Sequence, residues 1–127
     1  MIKNSRIYLN NLLTRYPELN ECKNDIESSY NILVACYKNR GKLLVAGNGG
    51  SGADSGHIVG ELMKGFLSKR TLAPKVQDTL INSHKNMGVV MAKNLQGALP
   101  AIDLTAHGSL ITAFSNDVHG DLIFAQQ

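Results

Sequence analysis

The sequence predicts an α/β fold built on a parallel sheet, and three observations carry that prediction. Two short apolar runs, KLLVA at 42–46 and PAIDL at 100–104, have the length and composition of strands buried on both faces. Each run passes into a segment with helical patterning, and two amphipathic segments precede the first run. The order is therefore helix, helix, strand, helix, strand, helix. The first strand-to-helix junction, VAGNGGSGADSG at 45–56, holds four glycines within six residues: Gly47, Gly49, Gly50 and Gly52.

Ile2, Ile7, Leu9, Leu12 and Leu13 recur at roughly helical spacing and predict a first helix over 2–15. It stops before Pro17, because a proline ring disfavours helical geometry in the residue ahead of it. A second helix is expected from about Asn20 to Asn39 on the stripe Ile26, Tyr30, Leu33, Val34 and Tyr37, with Gly41 as its left-handed cap. These stripes need partners, either the sheet that follows or the same helices of a second subunit. After the first strand, a helix carrying Ile58, Leu62, Met63 and Phe66 is expected over about 52–66, capped by Ser51, with Ile58, Leu62 and Met63 turned to the core. Residues 74–94 read as a mostly helical insertion with a turn near Asn86-Met87-Gly88. A short helix is expected over 108–117, and DLIFAQQ at 121–127 starts another. Two strands do not make a sheet that stands alone. Residues 1–127 therefore read as a single domain, with a helical segment at 1–41 and the first part of an α/β core at 42–127.

Composition narrows the function. With 43% hydrophobic and 18% charged residues the chain is an ordinary globular protein rather than a disordered one. Its net charge of +3 is scattered, it has no Trp, and only 6% of its residues are aromatic, so no stacking platform for nucleic acid is evident. No window approaches the roughly 18 apolar residues of a membrane span. The N-terminal MIKNSRIYLNNLL lacks the apolar core of a signal peptide. Cys22 and Cys36, about four helical turns apart on one helix, cannot meet in a disulfide and read as reduced, partly buried thiols. A cytoplasmic protein is expected.

The glycine loop admits three readings. Gly47-Asn48-Gly49-Gly50-Ser51-Gly52 formally satisfies the dinucleotide fingerprint, but the stretch about twenty residues on, LSKRTLAPK, has neither an acid nor a strand pattern. No Gly-Lys-Ser/Thr follows, which excludes a P-loop. No nucleotide cofactor is therefore expected. A tight strand-to-helix turn would need one or two glycines, not four. The third reading is that bare backbone N–H groups at a helix start are left open for an anionic ligand, with Asn48 and Ser51 adding side-chain hydrogen bonds. Asp54, His57 and Glu61, spaced by three and four, project from one face of the same helix. A carboxylate there can act as a base next to a carbonyl. A His and a Glu at this spacing can also supply two ligands to zinc, which in catalytic sites takes three from the protein.

GNGGSGADSGHIVGELMKGF together with LPAIDLTAHGSLITAFSND closely resembles the sugar isomerase (SIS) domain family, and within it the phosphoheptose isomerases. The resemblance runs from the N-terminal helices to the last residue. It implies a three-layer αβα sandwich with a parallel sheet, a homo-oligomer (tetramer or dimer) with active sites between subunits, and a sugar-phosphate ligand. The reaction it implies is the interconversion of sedoheptulose 7-phosphate and glycero-manno-heptose 7-phosphate. Asn48, Gly49, Gly50 and Ser51 would line the sugar-phosphate site, and Asn116 and Asp117 of FSND would reach it. Glu61 would be the acid/base that moves a proton between C1 and C2, with His57 as its catalytic companion. In zinc-binding members His57 and Glu61 would be two metal ligands. Residues 67–96 make a longer stretch than in compact members. The family's serine-rich phosphate loop, and a late helix supplying Gln and His, have no counterpart in these 127 residues, so one wall of a site is expected here. The alternative is a non-catalytic sugar-phosphate-binding or scaffold protein of the same fold, including the type that binds the replication initiator. Neither reading calls for a membrane or for direct contact with nucleic acid.

Overall fold

The structure, a computed structural model, describes residues 3–127, so Ile2 of the first predicted helix lies outside the described residues. The chain forms two compact units that divide between Gly41 and Lys42.

The first unit is helical. Helix α1 (Lys3–Arg15) ends where Pro17 requires it to, with Tyr16 out of helical geometry at φ −131° and ψ 78°. Pro17, whose fixed φ suits a first helical position, opens a 3₁₀ turn (Pro17–Cys22). Helix α2 (Lys23–Lys38) consequently starts three residues later than its periodicity suggests. Leu9 and Leu13, one turn apart on α1, are buried, and every member of the Ile26–Tyr37 stripe on α2 is half-buried. Tyr8, Leu9, Leu12, Ile26 and Tyr30 line an apolar cleft of about 420 Å³. Cys22 and Cys36 are half-buried and form no disulfide.

The end of α2 departs from expectation. The left-handed residue is Arg40 (φ 58°), not Gly41. The Gly41 N–H bonds the Cys36 carbonyl at 2.8 Å and the Arg40 N–H bonds that of Tyr37 at 3.1 Å. This paired closure places the left-handed position one residue ahead of the glycine.

In the second unit, β1 (Leu43–Val45) and β2 (Ala101–Asp103) pair in parallel, Leu43 opposite Ala101 and Val45 opposite Asp103. Helix α3 (Gly50–Met63) lies on this sheet. Its contact stripe shares only Leu62 with the apolar one that the sequence suggests. Gly52, Ser55, Val59 and Leu62 face inward, and Ser55 is the most deeply buried side chain among the described residues, at 1% exposure. Its hydroxyl donates to the Ser51 carbonyl at 2.9 Å. Ile58 and Met63 are exposed, and Phe66 lies beyond the helix end at 73% exposure. A sheet of two three-residue strands is too narrow to cover them. Leu44 and Ile102 point to the opposite face, where they line a cleft of about 350 Å³ with Leu104, His107 and Leu110.

The insertion contains α4 (Pro74–Asn94), bent at Lys85 (φ 48°, ψ −124°), one residue before the expected turn. Thr71 and Gln96 pair as an isolated antiparallel bridge at its base. Helix α5 (Gly108–Phe114) is shorter than expected, because the chain widens into one π-helical turn at Ser115–His119. A 3₁₀ turn (Gly120–Leu122) and further turns follow instead of another α-helix. Among the described residues no helix is long and apolar enough to cross a membrane.

The burial of Ser55 generates a prediction. Ser55→Leu is expected to cost about 1–3 kcal/mol through overpacking. Ser55→Ala, which loses one buried hydrogen bond, should cost about 1 kcal/mol. Urea unfolding checks both values. A neutral Ser55→Leu would mean that α3 does not lie this close to the sheet.

Candidate functional site

Because β1 and β2 are parallel, the loops that leave their carboxyl ends emerge side by side, the usual place for a ligand in an open α/β sheet. The Leu104 N–H bonds the Val45 carbonyl at 2.9 Å and ties the two exits together. After β2 the Asp103 carboxylate accepts from both the backbone N–H (2.8 Å) and the hydroxyl (2.6 Å) of Thr105, which fixes the turn. After β1 the chain enters the glycine loop, where two positions require glycine. A Cβ on Gly47 would collide with the backbone of Ser51. Gly49 adopts φ 57° and ψ −120°, geometry in which an L side chain is strained.

Gly49 is the residue that opens α3, so Ser51 lies inside the first turn and makes no cap. The N–H groups of Ser51, Gly52 and Ala53 bond the carbonyls of Asn48 and Gly49 at 3.1–3.4 Å. Those of Asn48, Gly49 and Gly50 take no partner among the described residues. A Cβ built on Gly49 or Gly50 would meet nothing within 4 Å, so the loop is open on that side. The open donors are therefore those of the two residues ahead of α3 and of its first residue, Gly50.

Asp54, His57 and Glu61 are all exposed on the side of α3 turned away from the Gly52–Ser55–Val59 stripe. Their side chains, like those of Asn48 and Ser51, make no hydrogen bond or ion pair among the described residues. The structure thus brings Asn48, Gly49, Gly50, Ser51, His57 and Glu61 onto one continuous loop-and-helix surface. Asn116 and Asp117 lie apart in sequence, exposed on the π-helical turn after α5, with no hydrogen bond to the glycine loop. No group of three or more His, Cys, Asp or Glu gathers as a metal site among the described residues. His57 and Glu61 offer two donors where catalytic zinc takes three, so these residues alone do not complete a zinc site.

Sequence reasoning missed Asp103, Thr105 and Arg70. Asp-x-Thr in DLT has the spacing of a side-chain-closed turn and could have signalled the first two.

Known proteins with similar sequences agree with the motif. A phosphoheptose isomerase of Syntrophotalea carbinolica is 35% identical over 102 residues, covering 80% of this chain and 39% of its own length. A probable phosphoheptose isomerase of Thermoplasma volcanium is 36% identical over 104 residues, covering 82% of this chain and 40% of its own. One from Synechocystis is 31% identical over 102 residues, covering 80% and 39%. Over about 80% of its length the chain is thus similar to the first part of phosphoheptose isomerases. The two-stranded parallel sheet with its helices is the α/β architecture of a sugar isomerase domain in part, and the chain spans about 40% of the length of the curated relatives that it matches. No family model and no solved structure matches the chain.

The loop geometry separates two glycines by function in this sugar isomerase-like domain. Gly47→Ala is expected to lower the unfolding midpoint, because its methyl group has no room. Gly50→Ala, with open space above it, should leave the midpoint unchanged and weaken binding of a phosphate monoester. Thermal unfolding and calorimetric titration on the same two variants check this. Equal effects on stability would remove the distinction.

Proposed function

We propose that the protein is a sugar-phosphate aldose–ketose isomerase that interconverts sedoheptulose 7-phosphate and glycero-manno-heptose 7-phosphate. The observation that carries this reading is one exposed surface with unpartnered backbone donors at one end and the unpaired Glu61 carboxylate at the other. The names of the similar proteins support the reaction class and give no support to the scaffold alternative.

The length of that surface bears on the substrate. Gly50 and Glu61 are eleven residues apart on α3, which is about 16 Å along the axis. Helical side chains lean toward the N-terminus, which brings the carboxylate back toward the loop by about one turn of 5.4 Å. The remaining gap suits an extended seven-carbon chain better than a triose phosphate. In this reading Asn48, Gly49, Gly50 and Ser51 hold ligand oxygens. Glu61 removes the proton from the carbon next to the carbonyl and returns it to the neighbouring carbon, while His57 assists at the carbonyl oxygen. Asn116 and Asp117 contribute from the β2 side. Where zinc is bound, His57 and Glu61 would supply two of its ligands, and the proton transfer is written without the metal. We place the protein in the cytoplasm as a homo-oligomer, in keeping with its unbridged cysteines and with the exposed Ile7 and Tyr8 of α1 and Ile32 of α2.

Glu61→Gln in the protein at its full natural length is the test. It should lower kcat by roughly 10²–10⁴-fold, the usual worth of a positioned acid–base group, with little change in KM. A loss smaller than about tenfold would remove Glu61 as the essential base.

A further inference from the structure

Arg70 makes a set of contacts that the glycine loop and the α3 face do not explain. Its guanidinium donates to the carbonyl of Leu62 at 2.5 Å and, more weakly, to that of Glu61 at 3.4 Å. Its Nε donates to the Gly97 carbonyl at 2.8 Å, while the Gly97 N–H returns a bond to the Arg70 carbonyl at 2.6 Å. Arg70 is half-buried and pairs with no carboxylate among the described residues. Its charge is directed instead at the carbonyl end of α3, where the helix dipole favours a cation. The neighbouring contacts close the same knot. The Gly65 N–H donates to the Gln96 side chain at 3.2 Å, and the Leu99 N–H donates to the Leu62 carbonyl at 2.9 Å.

Glu61 sits in the last turn of α3, two residues from its end at Met63. The last four carbonyls of a helix have no partner within it, and such turns fray unless something else satisfies them. A frayed turn would swing the Glu61 carboxylate away from any fixed substrate. A rigid planar guanidinium that holds the Leu62 carbonyl with one nitrogen and the Gly97 carbonyl with another restrains that turn, and a lysine ammonium reproduces only part of the arrangement.

We infer that Arg70 is a positioning residue for Glu61, locking the turn that carries the carboxylate and tying it to the base of the 71–96 insertion. The inference rests on the role proposed above for Glu61. Arg70 itself does not touch the reacting atoms.

The test uses Arg70→Ala and Arg70→Lys in the protein at its full natural length, assayed with sedoheptulose 7-phosphate. Arg70→Ala is expected to lower kcat by roughly 10²-fold, the scale of a catalytic group misplaced by about 1 Å, with little change in KM. Arg70→Lys should recover part of the loss. In a Glu61→Gln background, Arg70→Ala should cause no further loss, because a residue that acts through another has nothing left to position. Hydrogen exchange gives a readout that does not depend on activity. In Arg70→Ala the amides of Lys64, Gly65 and Leu99 should exchange faster while those of the first turns of α3 keep their protection. An unchanged kcat, a full further loss in the Glu61→Gln background, or faster exchange spread evenly over 42–127 would each overturn the inference. If the unaltered protein turned over no sugar phosphate, the proposed reaction would fail instead. The exchange pattern would then still decide whether Arg70 locks the turn.

Discussion

The close seat of α3 on β2 is the constraint from which the rest of the second unit follows. A Cβ on Gly52 would lie 3.3 Å from the Gly47 carbonyl oxygen, and one on Gly56 the same distance from the Asp103 carboxylate. Between these glycines only the hydroxymethyl group of Ser55 fits, and its hydroxyl turns back to its own helix. A wider residue at Gly52 or Ser55 would push the start of the helix away from the loop and the sheet. The glycine loop would then lose its place beside the turn that Asp103 and Thr105 build. Packing at this face thus sets the geometry of the loop at the same end of the helix.

That seat also determines what is left for chemistry. With the small residues spent on the sheet, Asp54, His57 and Glu61 project the other way, and none of the three is engaged by a neighbour among the described residues. Unengaged polar groups on a rigid helix, continuous with open backbone donors, are poised for a polar ligand. The same arrangement leaves Glu61 close to a helix end, a weak place for a group that must hold a fixed position. The clasp made by Arg70, Gln96 and Gly97 offsets that weakness. Those contacts join residues 8 to 31 positions apart, so the insertion is anchored at the end of α3 nearest the candidate base.

Much of this was legible in the sequence, and the failures share one cause. The two strands stood out as short apolar runs between patterned segments, the α2 stripe as a 3.6-residue period, and the loop as a cluster of glycines. Those signals lie within one element and repeat. Periodicity misreads the first half of the α3 contact face, because it finds large apolar side chains, whereas the helix start packs on Gly52 and Ser55 before Val59 and Leu62 take over. Periodicity alone turns Ile58 and Met63 to a core that Ser55, Val59 and Leu62 face instead. Arg40 and Lys85 take left-handed geometry that residue type alone would give to a glycine, because hydrogen-bond closure and the bend in α4 decide there. Arg70 could not be found by pattern at all. Its partners are three backbone carbonyls, and a carbonyl is the same in every residue.

The measurement that bears most directly on the central claim is solvent deuterium exchange into the sugar. The protein at its full natural length would be incubated with sedoheptulose 7-phosphate in deuterium oxide and the sugar followed by NMR. Proton transfer by a carboxylate that exchanges with solvent predicts deuterium at the carbon next to the carbonyl in recovered substrate and product, and none with Glu61→Gln. A sugar phosphate that binds at the glycine loop yet gains no deuterium and forms no aldose would contradict the account.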